Sequence, residues 1–402
     1  MFRFDFLYII INLILLLVFY YAGRNASIKR DYWSYSIFCV VFFTIVLGLR
    51  YGRGNDYFHY VDLYVYGYNE GRQIVFTWIN SSLKWLGVGK HYIFVFYAFI
   101  EMVCAMFFLK RYRKYALFMF PLFLISNIFF DEYQIRQALG FSFVYLCLDR
   151  LFNIKDTRGI LDGRCFKDVV FGLLYFIIAY SIHSACGYML VIMIAIYFLY
   201  RRTIPLKYSI PALLFCTYFF SEWFDFGWLN PILNQFVGED ARMSHYLEDS
   251  DKWFSAKGAN DIYTRNPIVL AAEMLGTISL FTLGSKSINK YCKSADAYAM
   301  YNFFVIGSLM LNAFRKIELL HRIGYDFAMF WFFTLSVVLY FALKKNNINV
   351  YGQKTLISLA YGKSFLFRRW NKFGVIFLLW YAYDYIKYLF MRGSMTKFIW
   401  DI

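Results

Sequence analysis

The sequence predicts an all-α polytopic integral membrane protein, and three observations carry that reading. Of the 402 residues, 60% are hydrophobic and only 17% are charged, against roughly 45–50% and 25% in an ordinary soluble chain. The apolar residues fall in blocks of about 15–20, close to the length a helix needs to cross the hydrocarbon core. The blocks are continuous rather than alternating, which excludes an outer-membrane barrel. Together they predict one helical membrane domain over residues 1–402 with about twelve transmembrane helices.

In order, the spans are residues 6–22, 33–49, 91–109, 115–130, 136–152, 168–182, 184–200, 208–224, 266–284, 296–314, 325–343 and 373–390. The first is too long for a signal-peptide core and no small-residue cleavage site follows it, so it reads as a retained span. Residues 73–87 (QIVFTWINSSLKWLG) are amphipathic and too short to cross, which predicts a helix lying in the interface. Residues 225–265 form a large loop carrying Glu239, Asp240, Glu248, Asp249, Asp251 and Asp261. A loop of that length is commonly a lid or a binding loop. Residues 344–372 read as a basic cytoplasmic linker beside anionic headgroups.

The net charge is +16. In a membrane chain, basic residues mark cytoplasmic loops. Of the 42 Lys and Arg residues, 25 fall in loops after odd-numbered spans and 13 in the opposite loops. That bias puts both termini and the 225–265 loop outside. No basic run is long enough for a nucleic-acid arm, so no nucleic-acid partner is expected. The seven cysteines include no CxxC pair and read as small buried hydrophobes. HExxH, Walker A, GxSxG and dinucleotide fingerprints are absent, so nothing supports zinc, ATP or hydride chemistry. Asp249-Ser250-Asp251 is formally a DxD, but an acidic outer loop is usually just solvated. No metal and no cofactor are expected.

Four polar clusters fall on the outer side. The loop GLRYGRGNDYFHYVDLYVYGYNEGRQ (48–73) holds Arg50, Arg53, Asp56, Tyr57, His59 and Tyr60 around Gly52 and Gly54. Glycines let backbone approach a ligand closely, and the guanidinium fork suits phosphate. If the segment after Gly54 is helical, Asp56, His59 and Tyr60 share a face. DEYQIRQALG (131–140) places Arg136 and Gln137 at a span entrance, where they are costly unless they face the bundle interior or a wet cavity. Glu132 stands four residues before Arg136, the spacing of a pair on one helix face. SIHSACG (181–187) holds His183, and RKIELLHRIGYD (315–326) holds His321, Arg322, Tyr325 and Asp326. Each cluster has a bland alternative: solvated loop, helix-end ion pair, structural histidine, interfacial anchor. Their common side is what favours one cavity for a phosphorylated, sugar-bearing amphiphile.

The segment LRYGRGNDYFHYVDLY resembles the hallmark of the EpsG-type family of Wzy-like polysaccharide polymerases. The hallmark residues fall on Arg50, Gly52, Gly54, Asn55, Asp56, Tyr57 and Tyr60, with Asn55 in place of the usual Thr. IRQALGFSFVYL resembles the family's Arg-containing span start, carried on Arg136 and Gln137. AYSIHSACGYML resembles its Ala-x-x-x-His-Ser element, carried on His183. HRIGYDF is a weaker match, on Arg322 and Tyr325. The resemblance implies a glycosyltransferase of the bacterial cytoplasmic (inner) membrane that polymerises undecaprenyl-pyrophosphate-linked repeat units on its outer face. Lipid-linked oligosaccharides and membrane lipids are then the expected partners, with a chain-length regulator and a flippase from the same pathway. Arg136, Asp56 and His183 are the candidate catalytic residues. Arg50, Arg53, Tyr57, Tyr60, Gln137, Arg322 and Tyr325 are the candidate substrate contacts. A flippase of lipid-linked oligosaccharide and an O-antigen-ligase-type transferase are the alternatives.

Overall fold

The computed structural model describes residues 6–28, 31–54, 56–67, 73–154, 157–220, 267–315, 318–345, 385–386, 389 and 397–398. The large loop 225–265, its DxD, most of the basic linker (346–372) and most of the last expected span lie outside the described residues. The chain divides into two compact units, residues 1–199 with 339–402, and residues 200–338.

The first unit is built from α1 (Phe6–Ile28), α2 (Trp33–Gly48), α3 (Tyr57–Tyr66), α4 (Ile74–Trp85), α5 (Ile93–Lys110), α6 (Ala116–Tyr133), α7 (Ile135–Leu151), α8 (Thr157–Leu161), α9 (Phe166–Ile182) and α10 (Ser184–Leu199). Helix α1 packs on α2 and α6, α2 on α5, α5 on α7, and α7 on α9 and α10. A two-residue strand, β1 (Arg50–Tyr51), pairs antiparallel with β2 (Lys397–Phe398), Arg50 opposite Phe398. The start of the loop after α2 is therefore tied to Lys397 and Phe398.

The second unit holds α11 (Leu206–Phe215), which continues as a π turn to Phe220, then α12 (Pro267–Ser287), α13 (Ala295–Ala313) and α14 (Glu318–Ala328). Helix α15 (Trp331–Lys345) runs across the unit boundary. Asn302 on α13 donates from Nδ2 to the Arg202 carbonyl at 2.9 Å and accepts the Ile204 N–H at 2.9 Å. One buried amide thereby pins the entrance to α11, satisfying two backbone groups that would be costly to bury alone.

Among the described residues, five helical runs are long and apolar enough to cross a membrane: Leu7–Ile28, Ile93–Lys110, Arg113–Tyr133, Pro267–Cys292 and Leu320–Ala342, the last passing from α14 into α15. Trp33–Gly48, Ser184–Leu199 and Leu206–Phe220 are apolar but shorter. The expectation of a helical membrane protein is thus met, while the count of about twelve spans is not confirmed among the described residues. Helices α7, α9 and α13 stand where spans were expected yet fall outside both groups. Helix α7 shows why: it is 17 residues long and carries Arg136, Gln137, Asp149 and Arg150.

Candidate functional site

At the β1 end of the first unit, α3 and α4 form a cap over the ends of α5, α7 and α9. Tyr57, Tyr60, Val61 and Tyr64 of α3 bury one helical face against Phe76 and Leu83 of α4, and against Ile93, Phe94, Ile135, Leu139 and Ile182. The spacing i, i+3, i+4, i+7 is that of a single helical stripe. Tyr57 stacks on Phe94 at 4.3 Å between ring centroids and its hydroxyl lies 3.1 Å from His91 Nδ1. Burial raises the Tyr57 hydroxyl above its ordinary range. Burial, and then the neighbouring Lys90 charge, hold His91 below the ordinary imidazole value.

The arginines of the loop turn inward rather than toward a cavity. The Arg53 guanidinium meets Glu132 at 2.6 Å, with side chains 3% and 2% exposed, and lies 4.3 Å over the Tyr8 ring. Arg50 is buried, donates to the Leu47 carbonyl at 2.7 Å and sits 5.4 Å from the Phe94 ring. Gly54 explains the turn. Its φ is +90°, and a Cβ there would run into the Glu132 carbonyl oxygen. The close approach that this glycine permits is to the end of α6, not to a ligand. The expected Glu132–Arg136 pair on one helix face is corrected as well. Helix α6 ends at Tyr133 and α7 begins at Ile135, so the two residues belong to different helices.

Arg136 does face a cavity. It lines a space of about 140 Å³ between α3 and α4, donates to the Gln73 side-chain oxygen and lies 5.9 Å over the Phe76 ring. One wall is a continuous stripe along α4, made of Gln73, Phe76, Thr77, Asn80, Ser81 and Lys84. The other wall is Leu63, Tyr64 and Gly67 at the end of α3. Tyr64 donates to the Val88 carbonyl at 2.7 Å, and Lys84 donates to the Val65 carbonyl at 2.9 Å, closing the far end. Asn80 accepts from Tyr97.

The other expected residues divide. Gln137 is buried one position further along α7, and its carbonyl accepts from Cys186 Sγ at 3.6 Å. His183 closes α9, half-buried, where α9 and α10 meet α7 beside Gly140. Asp56 stands at the N-cap position of α3 without a side-chain capping bond and is exposed, as is His59. Tyr60 points the other way into the core, so only Asp56 and His59 share the outward face. Arg322 (exposed) and Tyr325 (half-buried) belong to α14 of the second unit.

Sequence reading did not single out Gln73, Thr77, Asn80, Ser81 or Lys84, although their i, i+3, i+4 spacing is a legible stripe. It also did not join Glu101 with Asp131. These buried carboxylates line a second, smaller cavity of about 10 Å³ with Asn127, Ser142 and Tyr145. That is close to the space of one water, and the Arg50 charge acts on both.

Apolar helices of crossing length, with a cavity lined by Arg136, Lys84, hydroxyls and aromatic rings in the first unit, define a helical membrane protein. The chain belongs to the EpsG family, whose model matches residues 32–383, and it is accordingly a polysaccharide-polymerase-like membrane protein. No curated protein and no solved structure matches it.

Proposed function

We propose that the chain is a membrane glycosyltransferase. It joins oligosaccharide repeat units, each carried on undecaprenyl pyrophosphate, into a surface polysaccharide at the outer face of the bacterial cytoplasmic membrane. The observation that carries this reading is Arg136: a guanidinium at a helix start, open to a polar cavity, in a chain of the EpsG family. In the reaction the acceptor hydroxyl attacks the anomeric carbon of the donor chain. The bond from that carbon to the diphosphate breaks, and lipid diphosphate leaves with the bonding pair. Arg136 supplies a bidentate contact to the charge that grows on the leaving group. The acceptor proton passes to Asp56, exposed at the start of α3, or to His183 at the α9–α10 junction. Arg322 is proposed as an anion contact on the second unit. Arg50 and Arg53 hold the scaffold that aims Arg136, and Tyr57 and Tyr60 support it as packing.

The loop-charge bias supports the outer placement of this end. Impermeant maleimide added to intact cells should label Ser81→Cys and leave Arg164→Cys untouched; the reverse pattern would place the cavity in the cytoplasm. A deletion strain tests the reaction. Loss of polymer with accumulation of single lipid-linked repeat units facing outward fits a polymerase. Glu101, buried midway along α5, is the feature that favours a flippase, since transporters place ionisable groups near mid-membrane. Accumulation on the inner leaflet in the same strain would select that reading instead.

A further inference from the structure

Helix α4 presents three sets of side chains around its axis. Phe76, Ile79 and Leu83 pack into the core cluster. Ile74, Trp78 and Trp85 are exposed, Trp85 to 85%. Tryptophans in that setting settle at headgroup depth. The third face is the stripe along the cavity, and Thr77, Asn80 and Ser81 put two hydroxyls and an amide on it. Among the described residues, neither the Thr77 nor the Ser81 hydroxyl has a hydrogen-bond partner, and both residues are exposed. The cavity is well below the roughly 300–1,000 Å³ that holds a drug-sized ligand. It has room for one sugar ring. Phe76, packed in the core, reaches the cavity only as part of its lining, and Arg136 stands at one end of the stripe beside Gln73.

We infer that the α4 stripe reads the single sugar joined directly to the lipid diphosphate, with Thr77, Asn80 and Ser81 bonding its hydroxyls while Arg136 takes the adjoining phosphate. The headgroup depth set by Trp78 and Trp85 selects a lipid-linked glycosyl phosphate over a free glycan, because the phosphate of an embedded lipid lies at that level. This assignment rests on the proposed glycosyltransferase function and adds which part of the substrate the cavity recognises. Thr77, Ser81 and Asn80 are specificity-determining contacts and do not touch the reacting proton.

The test uses the full chain in lipid nanodiscs and two probes: lipid-linked repeat unit extracted from the deletion strain, and undecaprenyl pyrophosphate bearing no sugar. The wild-type chain should bind the sugar-bearing probe more tightly. The double variant Thr77→Ala, Ser81→Ala should lose about tenfold in affinity for that probe, the scale of one or two neutral hydrogen bonds, and keep its affinity for the bare diphosphate. Arg136→Ala should weaken both probes together. Ser81→Ala alone, read the same way with a smaller fall, serves if the double variant does not elute as a single species. The inference is overturned by an unchanged double variant, by an equal loss on both probes, or by a wild-type chain that does not distinguish them. A wild-type chain that binds neither probe removes the glycosyltransferase reading and this one with it.

Discussion

Arg53 and Glu132 are 3% and 2% exposed at one end of the first unit, whereas Arg150 and Asp168 at the other are 34% and 25% exposed. The residues between belong largely to α7, whose Arg136 and Arg150 are about 21 Å apart along the helix. At the Arg150 end, cations pair at the surface: Arg111 with Asp149 at 3.0 Å, Arg164 with Asp162 at 3.0 Å. Such pairs tether helix ends loosely and are screened by salt. At the Arg136 end, charges are sunk beneath a cap of α3 and α4, and only beside the cap does a polar cavity open. Burying a charge pair contributes little net stability but makes its geometry costly to lose. The difference teaches where this chain keeps buried charge: where the loop after α2 meets the end of α6, and not at the opposite helix ends.

The largest effect should come from Glu132→Ala. It leaves the Arg53 guanidinium buried without its carboxylate, at a cost of about 3–5 kcal/mol. Fluorescence-detected gel filtration should show little folded protein. Asp168→Ala, by contrast, should change thermal stability by about 1 kcal/mol or less. Equal losses in the two variants would erase the contrast between the ends. Next is Gly54→Ala, which forces an L side chain to φ +90° against the Glu132 carbonyl; about 1–3 kcal/mol follows from the backbone alone. Gly163→Ala, also at positive φ but with no atom within reach of a Cβ, should cost less. A smaller loss at Gly54 than at Gly163 would break the argument that the loop is clamped under α6.

The smallest effect is a pH dependence. His91 titrates below its ordinary value in the folded chain because burial disfavours its charged form. The unfolded chain therefore takes up the proton first as pH falls below about 6.5. Stability from the neutral ring is present above that pH and is lost as pH falls through the folded value. The wild-type melting temperature should thus drop more between pH 7.5 and 5.5 than that of His91→Gln. Parallel melting curves would contradict the burial of His91 as the cause.

The fold class was legible because crossing a membrane demands long apolar helices, and block length records that demand directly. Span number was less legible. Helix α7 carries Arg136, Gln137, Asp149 and Arg150 and still packs inside the bundle, because neighbouring helices satisfy what lipid would not. In the candidate site, Arg136 lines a cavity, the kind of surrounding that a cation at a span entrance needs. Arg50 and Arg53 were read as ligand contacts because their partners are remote: Glu132 is 79 positions from Arg53, and no local pattern joins them. The stripe on α4 carried a local signal, but an amphipathic helix of twelve residues reads first as an interfacial anchor. Its polar side holds the cavity wall as well as solvated positions, and periodicity alone does not separate the two.

The most direct measurement compares Arg136→Lys with Arg150→Lys, each expressed in the deletion strain at matched folded levels, by the length and amount of polymer on the cell surface. Lysine keeps the charge and loses the bidentate fork. The account predicts short or absent polymer for Arg136→Lys and a normal distribution for Arg150→Lys. Normal polymer from Arg136→Lys, or equal defects at both ends of α7, would contradict it.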